Sequence, residues 1–216
     1  MRSSPLSIAL VISVGLAFSL PARSQQVPLN SEILIQKIEP TLVDSPKMAT
    51  SYVKKSQARP AKWLEIEVVF ERNAKIPKFA DELTFRYYIL LKNERETEDR
   101  KPTLLTGSVT HVLTPLDKGL HAVAYVSPRA LAKFFDGKVP VNAQQMLTDY
   151  GVTVSGKEGL LAILSAKPQG VKADKGWWDN ATAYTSVPGF ILSKDQTPFA
   201  PLEWDYFEPV KSKSGN

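Results

Sequence analysis

The sequence predicts a mainly β protein, an antiparallel β-sandwich carrying one short α-helix. Three observations carry that prediction: apolar residues alternate with polar ones along two long segments, turn residues recur at short intervals, and a single capped stretch has helical spacing. The first segment sets Leu64, Ile66, Val68 and Phe70 against Glu65, Glu67 and Glu71, with Val69 the one exception. The second sets Leu83, Phe85, Tyr87, Ile89 and Leu91 against Thr84, Arg86, Tyr88 and Lys92. Period two puts one face of a strand toward a core and the other toward water.

From the start of the chain, Arg2, the uncharged apolar run over 5–20 and Pro21-Ala22-Arg23-Ser24 read as a cleavable secretory signal. The run is shorter than the roughly 20 residues that cross a bilayer, and small residues stand where a signal peptidase cuts, so cleavage is expected after Ser24 and no transmembrane span after it. The chain has no cysteine, which excludes a lipoprotein anchor and disulfide staples. The run's glycine, Gly15, is followed by apolar residues with Leu20 five places on, so the leader of a major pilin subunit is absent.

Residues 25–60 form an N-terminal strand and a flexible segment. Ile33, Ile35 and Ile38 suggest an early strand interrupted at Pro40, and 44–60 is Ser-, Lys- and Pro-rich without periodicity, a linker or loop. Residues 61–210 are the expected sandwich domain. After its two alternating strands come a charged loop over 93–101 and a strand over 102–113 that pairs back, with Thr106, Ser108 and Thr110 on one face. Residues 114–119 carry hairpin turn chemistry before an apolar run over 120–126. Ser127 and Pro128 are an N-cap and first helical residue; Ala130, Leu131, Phe134 and Phe135 follow at helical spacing, and Gly137 terminates the helix. Residues 141–154 read as a strand broken at Gly151, 155–159 as a turn and 160–164 as a buried strand. Pro188, Gly189, Pro198, Pro201 and Pro209 allow only short strands and extended connections in the last quarter, before a polar tail over 211–216. This spacing of short strands points to an immunoglobulin-like sandwich.

Cleavage after Ser24 would remove Arg2 and Arg23 and no acidic residue, leaving 25 basic against 22 acidic groups, a formal +3. The charges are mixed in sign along the chain, so no nucleic-acid partner is expected. Without cysteine there is no Cys/His nucleophile, and no G-x-S-x-G elbow supports a serine one. A hairpin centred on Leu116 would set His111 nearly opposite His121, which reads as a cross-strand surface pair, since zinc sites use three or four ligands. Glu65 and Glu67 read as the solvated face of an amphipathic strand rather than an acid pair. No catalytic residue, cofactor or metal is assigned, and the protein is expected not to be an enzyme.

Aromatic residues gather late: Trp177, Trp178, Tyr184, Phe190, Phe199, Trp204, Tyr206 and Phe207. Large rings supply burial first, so this segment reads mainly as a latch across the sandwich. Trp177, Trp178, Trp204 and Tyr206 are the candidates for contact with a protein partner or a glycan. Adjacent Trp177 and Trp178 should point different ways in an extended segment. Asn180-Ala181-Thr182 also matches a glycosylation sequon.

The stretch over 63–72, Gly107-Ser108-Val109-Thr110-His111-Val112, Ala124-Tyr125-Val126-Ser127-Pro128-Arg129-Ala130-Leu131 and Thr197-Pro198-Phe199-Ala200-Pro201-Leu202 resemble small exported proteins of Akkermansia-type Verrucomicrobia associated with a type IV pilus operon. The resemblance implies an immunoglobulin-like fold like that of archaeal pilus components, a cell-envelope setting, no known catalysis and no active-site residues. The absent pilin leader departs from a filament subunit and favours an accessory or adhesive role. The expectation is an exported, non-enzymatic structural or binding protein of a pilus-like or envelope assembly, in the periplasm, at the outer membrane or outside the cell. The alternative is a carbohydrate-binding module using exposed aromatics.

Overall fold

Alternation builds the strands it predicts. In a computed structural model, residues 27–28, 32–46, 61–73, 77–92, 101–167, 171–172 and 174–212 are described. The expected signal segment, most of the 44–60 linker and nearly all of the charged 93–101 loop lie outside them. The elements run β1 (Val27–Pro28), β2 (Ile33–Asp44), β3 (Lys62–Arg72), β4 (Phe79–Leu91), β5 (Thr103–Pro115), β6 (Leu120–Val126), α1 (Pro128–Phe134) and α2 (Ala143–Met146). There follow β7 (Leu147–Gly156), β8 (Gly159–Ser165), β9 (Val171–Lys172), β10 (Lys175–Gly176), β11 (Thr185–Pro188) and β12 (Ile191–Ser193). A six-stranded sheet, β1-β8-β7-β4-β5-β11, faces a four-stranded sheet, β12-β6-β3-β2, and β9 pairs with β10 alone.

The inward phases of the long strands meet between the sheets. Leu64, Ile66, Val68 and Phe70 of β3 pack with Leu83, Phe85, Tyr87, Ile89 and Leu91 of β4 in one buried cluster. Each such aliphatic or aromatic side chain contributes roughly 1.5–3 kcal/mol, which is how a cysteine-free domain is held. Arg72 keeps the inward phase of β3 and is 1 % exposed; its guanidinium donates to the Pro77 and Lys78 carbonyls and pairs with Glu32 at 3.7 Å.

Ser127 caps α1 as expected, its hydroxyl accepting from the Ala130 N–H at 3.3 Å, and Gly137 follows with φ 78°. The turn between β7 and β8 closes on Gly159 at φ 121°, a conformation glycine adopts without a Cβ clash.

Five expectations are corrected. Pro40 does not interrupt β2, which pairs with β3 from Ile33 to Asp44. β2 is the outermost strand of its sheet, the place in a sheet where proline is tolerated. A bulge between Ile35 and Lys37 moves the inward phase from Ile33 and Ile35 to Ile38 and Pro40. Second, 114–119 does not make a hairpin: β5 pairs with β4 in one sheet and β6 with β3 in the other. The connection over 116–119, with Gly119 at φ 66°, carries the chain from one sheet to the other, and β6, buried on both faces, suits a central strand. Third, His111 and His121 therefore do not face each other; their strand neighbours are Leu83 and Val69. Fourth, 141–154 is not a strand broken at Gly151, because Asn142 caps a second short helix, α2, and β7 then runs unbroken through Gly151. Fifth, pairing is not wholly antiparallel, since β11 lies parallel to β5.

Candidate interaction surface

The C-terminal quarter does not gather its rings in one place. It divides them between the outer faces of the two sheets. On the six-stranded sheet, β4 and β5 present Tyr88, Leu90 and Leu104 outward, and Trp178 packs against them with Ile163. The Trp178 ring stacks on Tyr88 with centroids 4.3 Å apart and planes 8° apart. It fits because Gly151 and Gly176 leave room: a Cβ at either would come within 2.2 Å of the indole. Trp178 is 6 % exposed, while Trp177 is half-buried, donating from its Nε1 to Ser165 Oγ at 3.1 Å. The adjacent rings lie edge to face at 75°. Trp178 is thus a latch, and Trp177 keeps only part of its surface for a partner.

On the four-stranded sheet, Trp63 of β3 and Val123 and Tyr125 of β6 point outward and are covered by Phe199 and Phe207. Phe199 stacks on Tyr125 at 4.7 Å and meets Trp63 edge-on at 5.7 Å. The segment over 194–211 forms an arm that makes tight turns around Lys194 between these anchors. The Lys194 ammonium donates to the Leu202 and Ala200 carbonyls and lies 5.5 Å from the Trp204 ring centre, as an internal cation organising the turns. Glu203 adopts φ 51° there, and its neighbour Trp204 stands 75 % exposed. The arm ends as an edge cover: Val112 N–H donates to the Pro209 carbonyl and Lys211 N–H to that of Thr110, on β5, while Glu208 N–H donates to the His121 carbonyl on β6. Arm and sandwich are thereby tied across both sheets.

Tyr206, 47 % exposed, stacks on His121 at 4.1 Å and donates from its hydroxyl to Glu67 Oε1 at 2.9 Å. His121 Nδ1 reaches the same oxygen at 2.5 Å. Glu65 and Glu67 are consequently not a solvated face: the Glu67 side chain is 17 % exposed, and burial holds the Glu65 carboxyl above its ordinary range, offset in part by a hydrogen bond from Tyr125. The strand pattern marks these glutamates as outward-facing; nothing in it reports that an arm more than 130 residues later in the chain covers them, as Tyr206 does Glu67. His111 lies on the other side of the arm, fully buried, with Nδ1 2.9 Å from the Glu208 carbonyl oxygen. Among the described residues no three His, Asp or Glu side chains are placed to hold a metal.

A cavity of about 660 Å³ opens at one end of the sandwich, lined in part by Glu32, Arg72, Asp81, Glu82 and Lys157. Its one buried cation, Arg72, is committed to backbone carbonyls, so this end reads as structural. Asn180 of the sequon is exposed, and its side-chain oxygen accepts from Thr182 Oγ1 at 2.8 Å. No helix among the described residues is long and apolar enough to cross a membrane.

The architecture is therefore a two-sheet β-sandwich whose outer faces are latched by its own C-terminal quarter. A protein-family model matches residues 24–214, and the chain belongs to that family. A crystal structure of a protein from Akkermansia muciniphila is similar in fold, with a TM-score of 0.69 at 21 % identity over 93 % of this chain and 100 % of that one. No curated protein matches the chain.

Proposed function

We propose that the protein is an exported, non-enzymatic structural or binding component of a type IV pilus-like or other cell-envelope assembly, acting through protein–protein contacts on an immunoglobulin-like sandwich. The observation that carries this reading is the arm on the four-stranded sheet. It anchors two phenylalanines in a buried layer and raises Leu202, Trp204 and Tyr206, 39 %, 75 % and 47 % exposed, on a fixed platform. Exposed aromatics held by a rigid support are what protein interfaces use as anchors. The apolar leading segment supports export, and the resemblance to exported pilus-associated proteins supports the setting. Chains linking opposite sheets, as between β3 and β4 and between β5 and β6, support the immunoglobulin-like reading.

The test is in-cell crosslinking of the tagged protein followed by mass spectrometry. Envelope or pilus components attached at reproducible positions are the expected result. Recovery of no envelope protein, with retention on immobilised glycans that Trp204→Ala abolishes, would favour the carbohydrate-binding reading, which rests on the open Trp204 face.

A further inference from the structure

Charge around the arm narrows the chemistry of what it meets. Glu39 of β2 and Glu67 of β3 are direct cross-strand neighbours, and Thr41 and Glu65 are the next pair on the same face. Like charges directly opposed on a sheet cost stability unless something answers them. Here Lys37 answers Glu39 and the Tyr206 hydroxyl donates to Glu67, but the arm also adds Glu203 and Asp205 on either side of Trp204, both exposed. Against these five carboxylates the described residues set Lys37, paired with Glu39 at 2.8 Å, and Lys194, buried beneath the arm and committed to its carbonyls. His121 contributes charge only when protonated. A chain with a basic balance overall, +5, thus carries an acidic face around its most exposed indole.

We propose that the Trp204–Tyr206 patch receives an arginine- or lysine-bearing segment of a partner polypeptide, the cation lying over the indole face that Lys194 leaves open and beside Glu203 and Asp205. The assignment rests on the protein-contact reading above and names the partner's chemistry. An aromatic face attracts a cation through its quadrupole, and neighbouring carboxylates strengthen that attraction and select its sign. A neutral sugar would use the ring and leave the surrounding charge unanswered. Lys194 is a positioning residue in this scheme, since it holds the turn that presents Trp204.

The test is a titration of the full protein with a short peptide of alternating glycine and arginine, a glycine–glutamate peptide serving as control, at low and high salt. The expected result is binding of the arginine peptide alone, weakened by salt and reduced about tenfold by Trp204→Ala and by the double change Glu203→Gln and Asp205→Asn. These side chains are exposed, so the variants should unfold at the wild-type temperature, which circular dichroism checks. Absence of binding, binding indifferent to the substitutions, equal binding of the glutamate peptide, or retention on neutral glycans through Trp204 each overturns the assignment. Crosslinks to envelope proteins at other surfaces would leave the assembly role standing while removing this one.

Discussion

Tyr87 shows how far a single residue's fate is legible in the chain. The alternation of β4 places it inward, and it is fully buried among Phe85, Ile89 and their neighbours. Nothing in that alternation says whether its hydroxyl finds an acceptor. The hydroxyl has no hydrogen-bond partner among the described residues, and burial pushes its pKa far above the ordinary value. A buried donor left unmade costs more than its removal. Tyr87→Phe is therefore expected to raise stability by about 1 kcal/mol, read from the urea midpoint; an unchanged or lower midpoint would show that the hydroxyl is satisfied. Arg72 makes the converse point, a charge at a core position that the alternation would fill with an aliphatic, retained because two carbonyls and Glu32 receive it.

At the scale of elements, two glycines carry contacts between sheets and latches. A Cβ on Gly107 of β5 would come within 2.6 Å of Ile191 Cβ, so this glycine lets β12 of one sheet approach β5 of the other. A Cβ on Gly151 would strike the Trp178 ring at 2.2 Å and the Leu164 carbonyl at 2.9 Å. Gly151→Ala should unseat Trp178 and cost roughly 1–3 kcal/mol, with a red shift and greater quenching of tryptophan fluorescence; unchanged fluorescence would mean the indole packs elsewhere. From sequence alone Gly151 reads as a strand break. A glycine inside a strand marks either a bend or a close approach, and only the neighbour across the sheet tells which.

At the scale of the whole molecule, the arm closes the sandwich over two groups with opposed pH responses. Burial lowers the His111 pKa to about 4. Its contribution to stability is complete above the unfolded value near 6.5 and is lost as pH falls through about 4. Burial, and then the nearby Asp117 charge, raises Glu208 to about 7. That contribution is complete below the unfolded value near 4.5 and is lost as pH rises through about 7. The two slopes oppose each other over nearly the same range. Glu208→Gln should leave the acid-side loss from His111 uncovered and make the protein more stable than wild type above pH 7, by about 1–2 kcal/mol once the partial exposure of Glu208 is allowed for. Thermal midpoints of both proteins against pH decide this; parallel curves would refute it. An NMR titration of the His111 ring should give a midpoint near 4.

The sequence by itself determined the phases of β3 and β4, the capped helix α1, the β7–β8 turn and the sandwich class, because period-two burial and capping are properties of neighbours along the chain. The paired tryptophans, expected in extended backbone, stand instead in a 3-10 turn over Trp177–Asp179 that buries Trp178 and leaves Trp177 half-buried. Only the tertiary structure decided that 114–119 crosses between sheets, that His111 is buried while His121 lies under Tyr206, and that Trp178 latches one sheet while Trp204 stands open on the other. A turn's chemistry specifies a reversal of the chain, but which strand receives the next one depends on which long partner buries more surface. The arm's place depends likewise on Phe199 and Phe207 finding Tyr125 and Trp63, contacts distant in sequence that no local pattern encodes.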